Sequence, residues 1–311
     1  MKKLLTILAI SAILISSFSL FATAQNSDNV ITLGDSNWPG LRGKNAIVNY
    51  ILENIGYKVE RTSATDPMLR QGIINGDIDI YLGTWMPSLQ KARTQNQDKQ
   101  HLVTKNMHNG LLGMAVPKYV AEQGVTSLED LQEHADKFDK KLYVGPAGWV
   151  YDGKIREAQK DNIYNLEDWE LVSSNPAALW TELEQAIENE EWIVWAAWQP
   201  HWMNTVYDMV YLEDPETIFG NKYSWVETLT RKGFPEEHPQ VTTFLKNFII
   251  KSETQSLLSY QIGEKEKDAD EFAKKWVKDN IYRVSTFLAL VEAPNGEPAI
   301  DVLRENIGLE K

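Results

Sequence analysis

Four tryptophans in this chain stand where a cation could be held. Trp38 and Trp85 lie 47 positions apart, Trp149 and Trp198 lie 49 apart, and each pair sits in the same order of apolar runs and turn signals. An indole face is the best cation–π partner among side chains, and clustered aromatic rings bind a quaternary ammonium, which offers no strong hydrogen-bond donor. Each desolvated contact contributes about 2 kcal/mol, so three or four contribute roughly 6–8 kcal/mol before the costs of association. Micromolar affinity needs about 8 kcal/mol net. A second anchor is therefore expected. The stretch Gly148-Trp149-Val150-Tyr151-Asp152-Gly153 leads from a strand into a helix, where free backbone N–H groups can hold an anion. A ligand with both an onium head and a carboxylate would use both devices.

Positioning these residues requires two similar units. Residues 30–34 predict a strand that runs into a loop with Trp38, Pro39 and Gly40. Ile47, Ile51 and Ile55 make a helical stripe, and Gly56 stands where a left-handed end is wanted. A strand restarts over 57–60. Asp66-Pro67 then joins a capping acceptor to a first-turn proline, opening a helix that stops at Gly76. The strand over 78–82 delivers Gly83-Thr84-Trp85-Met86-Pro87. The second unit repeats this order, with Trp149 lying 111 positions after Trp38 and Trp198 lying 113 after Trp85. It has a strand over 141–145, a loop over 146–153, a helix from Lys154 and a strand over 169–172. Asn175-Pro176 starts a helix through Leu183 and Ile187, and a strand over 192–198 ends in Ala197-Trp198-Gln199-Pro200.

Alternating strands and helices predict an α/β fold of mostly parallel sheets flanked by helices, with ligands held beyond the carboxyl ends of the strands. Two facing lobes would surround one cleft with four indoles, as in hinge-closing binding proteins. The segment 224–233 reads as a return crossing. Helical patterns through Phe244 and Phe248 and through Ala269 and Trp276 complete the first lobe. The expected division is lobe 1 over 25–116 plus 227–311 and lobe 2 over 117–226.

The 311 residues are 43% hydrophobic and 24% charged, near the averages for a globular protein. The absence of cysteine removes disulfides, thiolate nucleophiles, cysteine-ligated metals and a lipoprotein anchor. A net charge of −13 argues against nucleic acid or an anionic membrane as the main partner and suits a freely diffusing monomer. Lys2 and Lys3, an apolar run over 4–21 and Ala22-Thr23-Ala24 read as a secretory signal cut after Ala24, which places the mature chain in the periplasm.

Other motifs read as structure. Trp195 alternates with Trp198 and points to the opposite face, into the core. Trp169, Trp180, Trp225 and Trp276 are packing candidates, and Trp202 a rim candidate. Gly43-Lys44-Asn45 lacks the remainder of a phosphate loop and reads as a helix start. The five histidines have no compact metal-binding spacing, so no metal and no cofactor is expected.

The tract Ala197-Trp198-Gln199-Pro200-His201-Trp202-Met203, continuing to Tyr211-Leu212-Glu213-Asp214-Pro215, resembles the substrate-binding proteins of ABC uptake systems for glycine betaine, proline betaine and choline. Asp77-Ile78-Asp79 followed by Trp85-Met86-Pro87 carries the same resemblance, which runs over essentially the whole mature sequence. It implies a type II periplasmic binding protein fold and an ABC permease in the inner membrane as partner. In betaine-binding members, tryptophans matching Trp85, Trp149 and Trp198 wrap the ammonium. Two backbone amides, matching Val150 and Tyr151, take the carboxylate. Choline-binding members add a tryptophan similar to Trp38 but place an aspartate where this chain has Gly40, and a tyrosine where it has Leu112. A histidine that some betaine binders carry after the first Trp-x-Pro turn is replaced by Leu89. His201, His108 and Asp152 are the candidates for polar support around the cage.

These observations together predict a binding protein, with no catalytic residues, that closes on a glycine betaine-like zwitterion. Choline, carnitine, dimethylsulfoniopropionate and trimethylamine N-oxide are alternative occupants of the same cage. A secreted glycoside hydrolase is the alternative from another class, because aromatic platforms and carboxylates also suit sugars. A sensory input domain is a third, which no following signalling segment supports.

Overall fold

The apolar run that opens the described residues, 30–220 and 223–310 of this computed structural model, forms strand β1 (Val30–Asp35), with Ile31 and Leu33 fully buried. The expected secretion signal, 1–24, lies outside the described residues. Helix α1 (Pro39–Asn54), β2 (Lys58–Ser63), α2 (Asp66–Asn75) and β3 (Ile80–Met86) follow in the expected order, with β1 parallel to both β2 and β3. The long strand β4 (Gln100–Pro117) then leads into the second unit. That unit comprises β5 (Lys141–Tyr143), α3 (Val150–Lys160), β6 (Glu170–Val172), α4 (Pro176–Glu188), β7 (Trp195–Gln199) and β8 (Met209–Tyr211). Strand β9 (Ser224–Arg231) returns the chain to the first unit.

The strands form one mixed sheet in the order β2-β1-β3-β9-β4-β7-β5-β6, with β8 also on β4. Each unit is built on a parallel trio, β2-β1-β3 and β6-β5-β7, as the alternating pattern requires. Strand β4 is common to both units: from Gln100 to Gly110 it pairs with β9, and from Leu111 to Pro117 with β7 or β8. The helices α5 (Ser252–Ser259) and α6 (Ala269–Asp279) pack on α1 and complete the first unit from the C-terminal side. Asp79 fastens that unit together. Its Oδ2 accepts the Thr32 N–H at 2.7 Å, and its Oδ1 accepts Arg231 Nε at 2.6 Å across the sheet.

Several helix starts differ from the sequence reading. Pro39 and Gly40 are the first residues of α1 rather than loop, so Gly43-Lys44-Asn45 lies inside the helix. Proline's fixed φ suits that first position. Lys44 is fully buried, with Nζ donating to the Leu82 carbonyl at 3.1 Å and to Asn106 Oδ1 at 2.8 Å. Burial pushes its ammonium down to about 7. Asp66 does not cap α2 but is its first residue, with Thr65 ahead of it. Helix α3 begins at Val150, four residues before Lys154. By contrast Asn175 does cap α4, accepting the Ala178 N–H at 3.0 Å. Trp195 is fully buried, as its alternation with Trp198 predicts.

Candidate functional site

Trp38 and Trp149 occupy equivalent places in the two units. Each is the residue before the first turn of a helix, with extended backbone angles (φ −94°, ψ 133° and φ −66°, ψ 154°), and neither side chain caps the helix. Tryptophan has no acceptor with which to cap, so its ring is free to project while the first-turn N–H groups stay without an intrahelical partner. Trp85 and Trp198 lie toward the ends of β3 and β7, and each is followed after one residue by a proline with a cis peptide bond.

All four tryptophans line one cavity. Trp38 and Trp85 meet at a ring separation of 6.0 Å and an interplanar angle of 67°; Trp149 and Trp198 meet at 5.3 Å and 87°. The expected residues of the anion site, Val150 and Tyr151, line the same cavity. They open helix α3, where backbone N–H groups and the helix dipole favour a negative charge. The Tyr151 hydroxyl donates to the Ala197 carbonyl at 2.7 Å, holding the first turn of α3 against the strand that carries Trp198. Burial pushes this phenol well above its ordinary range, so it stays a donor.

Leu89 and Leu112 also form part of the wall, Leu112 directly opposite Trp198 in the β4–β7 ladder. A β-carbon at Gly40 would overlap the side-chain amide of buried Gln255, which would have to turn aside for an aspartate to stand there. The polar-support candidates separate. His201 is buried behind the cage with its ring 4.4 Å from that of Trp198, and its Nδ1 accepts the Met203 N–H at 3.3 Å. Burial holds its imidazole well below the usual range, hence neutral. Asp152 turns away from the cavity lining to pair with Arg156 at 2.9 Å. His108 is exposed and stands apart from the cavity; its carbonyl accepts from Ser252 Oγ at 3.2 Å. Trp202 is buried, packed on Trp180 at 5.3 Å, rather than at a rim.

The sequence reading missed Asp66 and Arg70, which line the cavity from α2. Asp66 Oδ1 accepts the Tyr81 hydroxyl at 2.6 Å. A signal was present in principle: the two lie four apart, on one face of a helix that begins next to the cleft. A glycosidase would need a pair of carboxyls flanking its cleft; among the described residues that line this cavity, Asp66 alone carries one.

The two units approach each other at two places beside the cavity. Gly148 of the second unit approaches the Pro67 ring of the first so closely that a β-carbon there would lie 3.0 Å from it. Ser88 Oγ donates to the Phe219 carbonyl at 2.5 Å on the far side.

Known proteins are similar to this chain in sequence and fold. A glycine betaine/carnitine transport binding protein of Listeria monocytogenes is 35% identical over 136 residues, 43% of this chain and 45% of that protein, so the match spans less than half of the relative's length. Lactococcal OpuAC, in its closed conformation with glycine betaine, superposes with a TM-score of 0.76 at 26% identity, covering 84% of this chain and 99% of its own. An ABC-transporter choline-binding protein in complex with choline superposes with a TM-score of 0.86 at 24% identity, covering 91% of this chain and 99% of its own, which shows the shared two-lobed fold. Residues 29–279 match the family described as the substrate binding domain of ABC-type glycine betaine transport systems. The chain belongs to that family of transport substrate-binding domains.

Proposed function

We propose that this protein binds a glycine betaine-like zwitterionic onium compound between its two lobes and delivers it to an ABC permease in the inner membrane. The observation that carries this reading is the convergence of four indoles, two from each unit, with the first amides of α3 on one cavity. The onium head would sit among Trp38, Trp85, Trp149 and Trp198, and the carboxylate at the N–H groups of Val150 and Tyr151. Contact with both lobes favours the closed form, because only differential contact shifts an open–closed equilibrium. Lobes of 25–116 plus 227–311 and of 117–226, a signal removed after Ala24, a periplasmic location and a monomeric state belong to the same proposal.

The test is a tryptophan-fluorescence titration of ligand-stripped protein with glycine betaine, choline, carnitine, dimethylsulfoniopropionate and trimethylamine N-oxide. Saturable micromolar binding of the carboxylated onium compounds, with choline much weaker, is expected. Preference for choline or the N-oxide would keep the cage and overturn the carboxylate anchor. No response to any onium compound, with turnover of a glycoside, would overturn the whole reading.

A further inference from the structure

One charged group in the cavity wall has no role in the reading above. Arg70 lies one helical turn after Asp66 on α2, half-buried, and lines the cavity. Three other arginines are held in ion pairs: Arg93 with Glu227 at 3.0 Å, Arg231 with Asp79 at 2.6 Å and Arg156 with Asp152 at 2.9 Å. Arg70 has no ion pair and no hydrogen bond among the described residues. Asp66, its nearest carboxylate along the helix, already accepts the Tyr81 hydroxyl. Arg70 and Leu89 also line an adjoining space, whose wall includes the polar side chains of Thr84, Asn96 and Gln100 but, among the described residues, no carboxylate.

A guanidinium without a hydrogen-bonded partner in the wall of an aromatic cavity distinguishes ligands by their anion. Its charge is offset for a cation by the Asp66 carboxylate in the same wall, but it offers a planar fork of donors that matches a carboxylate and that a ligand without an anion cannot use. Resting on the cage reading, we infer that Arg70 is a specificity-determining residue that takes the carboxylate of the zwitterion from the side of lobe 1. The amides of Val150 and Tyr151 hold it from lobe 2. The substrate class this selects is the onium carboxylates, against cations such as choline that bring no anion. The carboxylate then bridges the two lobes as the indoles do, so both ends of the ligand reward closure.

The experiment titrates the unaltered protein, Arg70→Gln, Arg70→Lys and Trp149→Ala with glycine betaine and with choline. Arg70→Gln is expected to weaken glycine betaine about tenfold to a hundredfold, the range of a charged hydrogen bond, and to leave choline unchanged or tighter. Arg70→Lys should fall between, keeping the charge without the fork. Trp149→Ala should weaken both ligands. Equal loss of both ligands in Arg70→Gln, or no loss of glycine betaine, would overturn the role of Arg70 while leaving the cage intact. If the unaltered protein binds neither ligand, or Trp149→Ala changes nothing, the cage reading falls and the inference with it. Thermal unfolding of each variant separates these outcomes from misfolding, and Arg70→Lys provides the conservative comparison.

Discussion

Pro67 and Gly148 touch across the cleft, one from each lobe, and Gly148 holds a positive φ of 89° there. A side chain at this position meets two separate obstacles. The left-handed backbone costs a non-glycine residue about 1–2 kcal/mol whether or not ligand is bound. The overlap with Pro67 arises only when the lobes come together. Gly148→Ala is therefore expected to lose about 1 kcal/mol of stability without ligand and, in addition, to bind glycine betaine about tenfold more weakly, equivalent to about 1.4 kcal/mol. Titration together with small-angle scattering checks this, because the variant should show less compaction at saturating ligand than the unaltered protein.

Cage and core tryptophans should respond differently to the same substitution. Trp149 is half-buried, with one face on the cavity, and Trp149→Ala removes a cation–π contact of about 2 kcal/mol, roughly thirtyfold in affinity, with a small change in melting temperature. Trp195 is fully buried away from the cavity, and Trp195→Ala should cost about 3–5 kcal/mol of stability. Calorimetric melting and ligand titration of the two variants give opposite signatures if this assignment holds.

Tyr151 offers a way to separate backbone from side chain at the anion site. Tyr151→Phe leaves the amide in place and removes the hydroxyl donated to the Ala197 carbonyl. Stability should fall by about 1–3 kcal/mol, since a buried acceptor loses its partner. Affinity for glycine betaine should change less than about threefold, within a single neutral hydrogen bond. A large selective loss of affinity would place the binding group on the phenol instead.

His201 sets an acid limit on stability. Its folded-state proton affinity is lowered by burial, so the unfolded chain takes up the proton first as pH falls below the ordinary histidine value of about 6.5. The unfolded state then binds more protons than the folded one, and stability declines with falling pH. The His201→Gln variant, uncharged throughout, should show a shallower decline between about pH 6.5 and pH 5. Urea unfolding at a series of pH values measures the slope.

Much of this site is legible in the sequence because aromatic residues and strand ends recur in register. The order of elements, the placing of the four indoles on one cavity and the buried place of Trp195 follow from alternation and spacing, whereas Val150 and Tyr151 are named through the resemblance to betaine-binding proteins. The helix starts do not. Helix α3 was expected from Lys154 because helices usually announce themselves with serine, threonine, asparagine or aspartate, and here tryptophan occupies the capping position. The same substitution hides α1 behind Trp38. Arg70 escaped for another reason. On a surface helix a charged residue normally marks the solvent side, and only the second lobe, distant in sequence, turns that side into the wall of a cavity.

The joint between the lobes restricts how they move. Strands β4 and β9 cross side by side, with Gly110 paired to Ser224 where β4 passes from one set of partners to the other. A single tether would let one half swivel about it. Two adjacent tethers resist torsion and leave one soft bending direction, as the pins of a door do. In a protein that opens and closes about such a joint, Trp149 and Trp198 would come back to face Trp38 and Trp85 along one arc, their alignment set by the strands rather than found anew by the ligand.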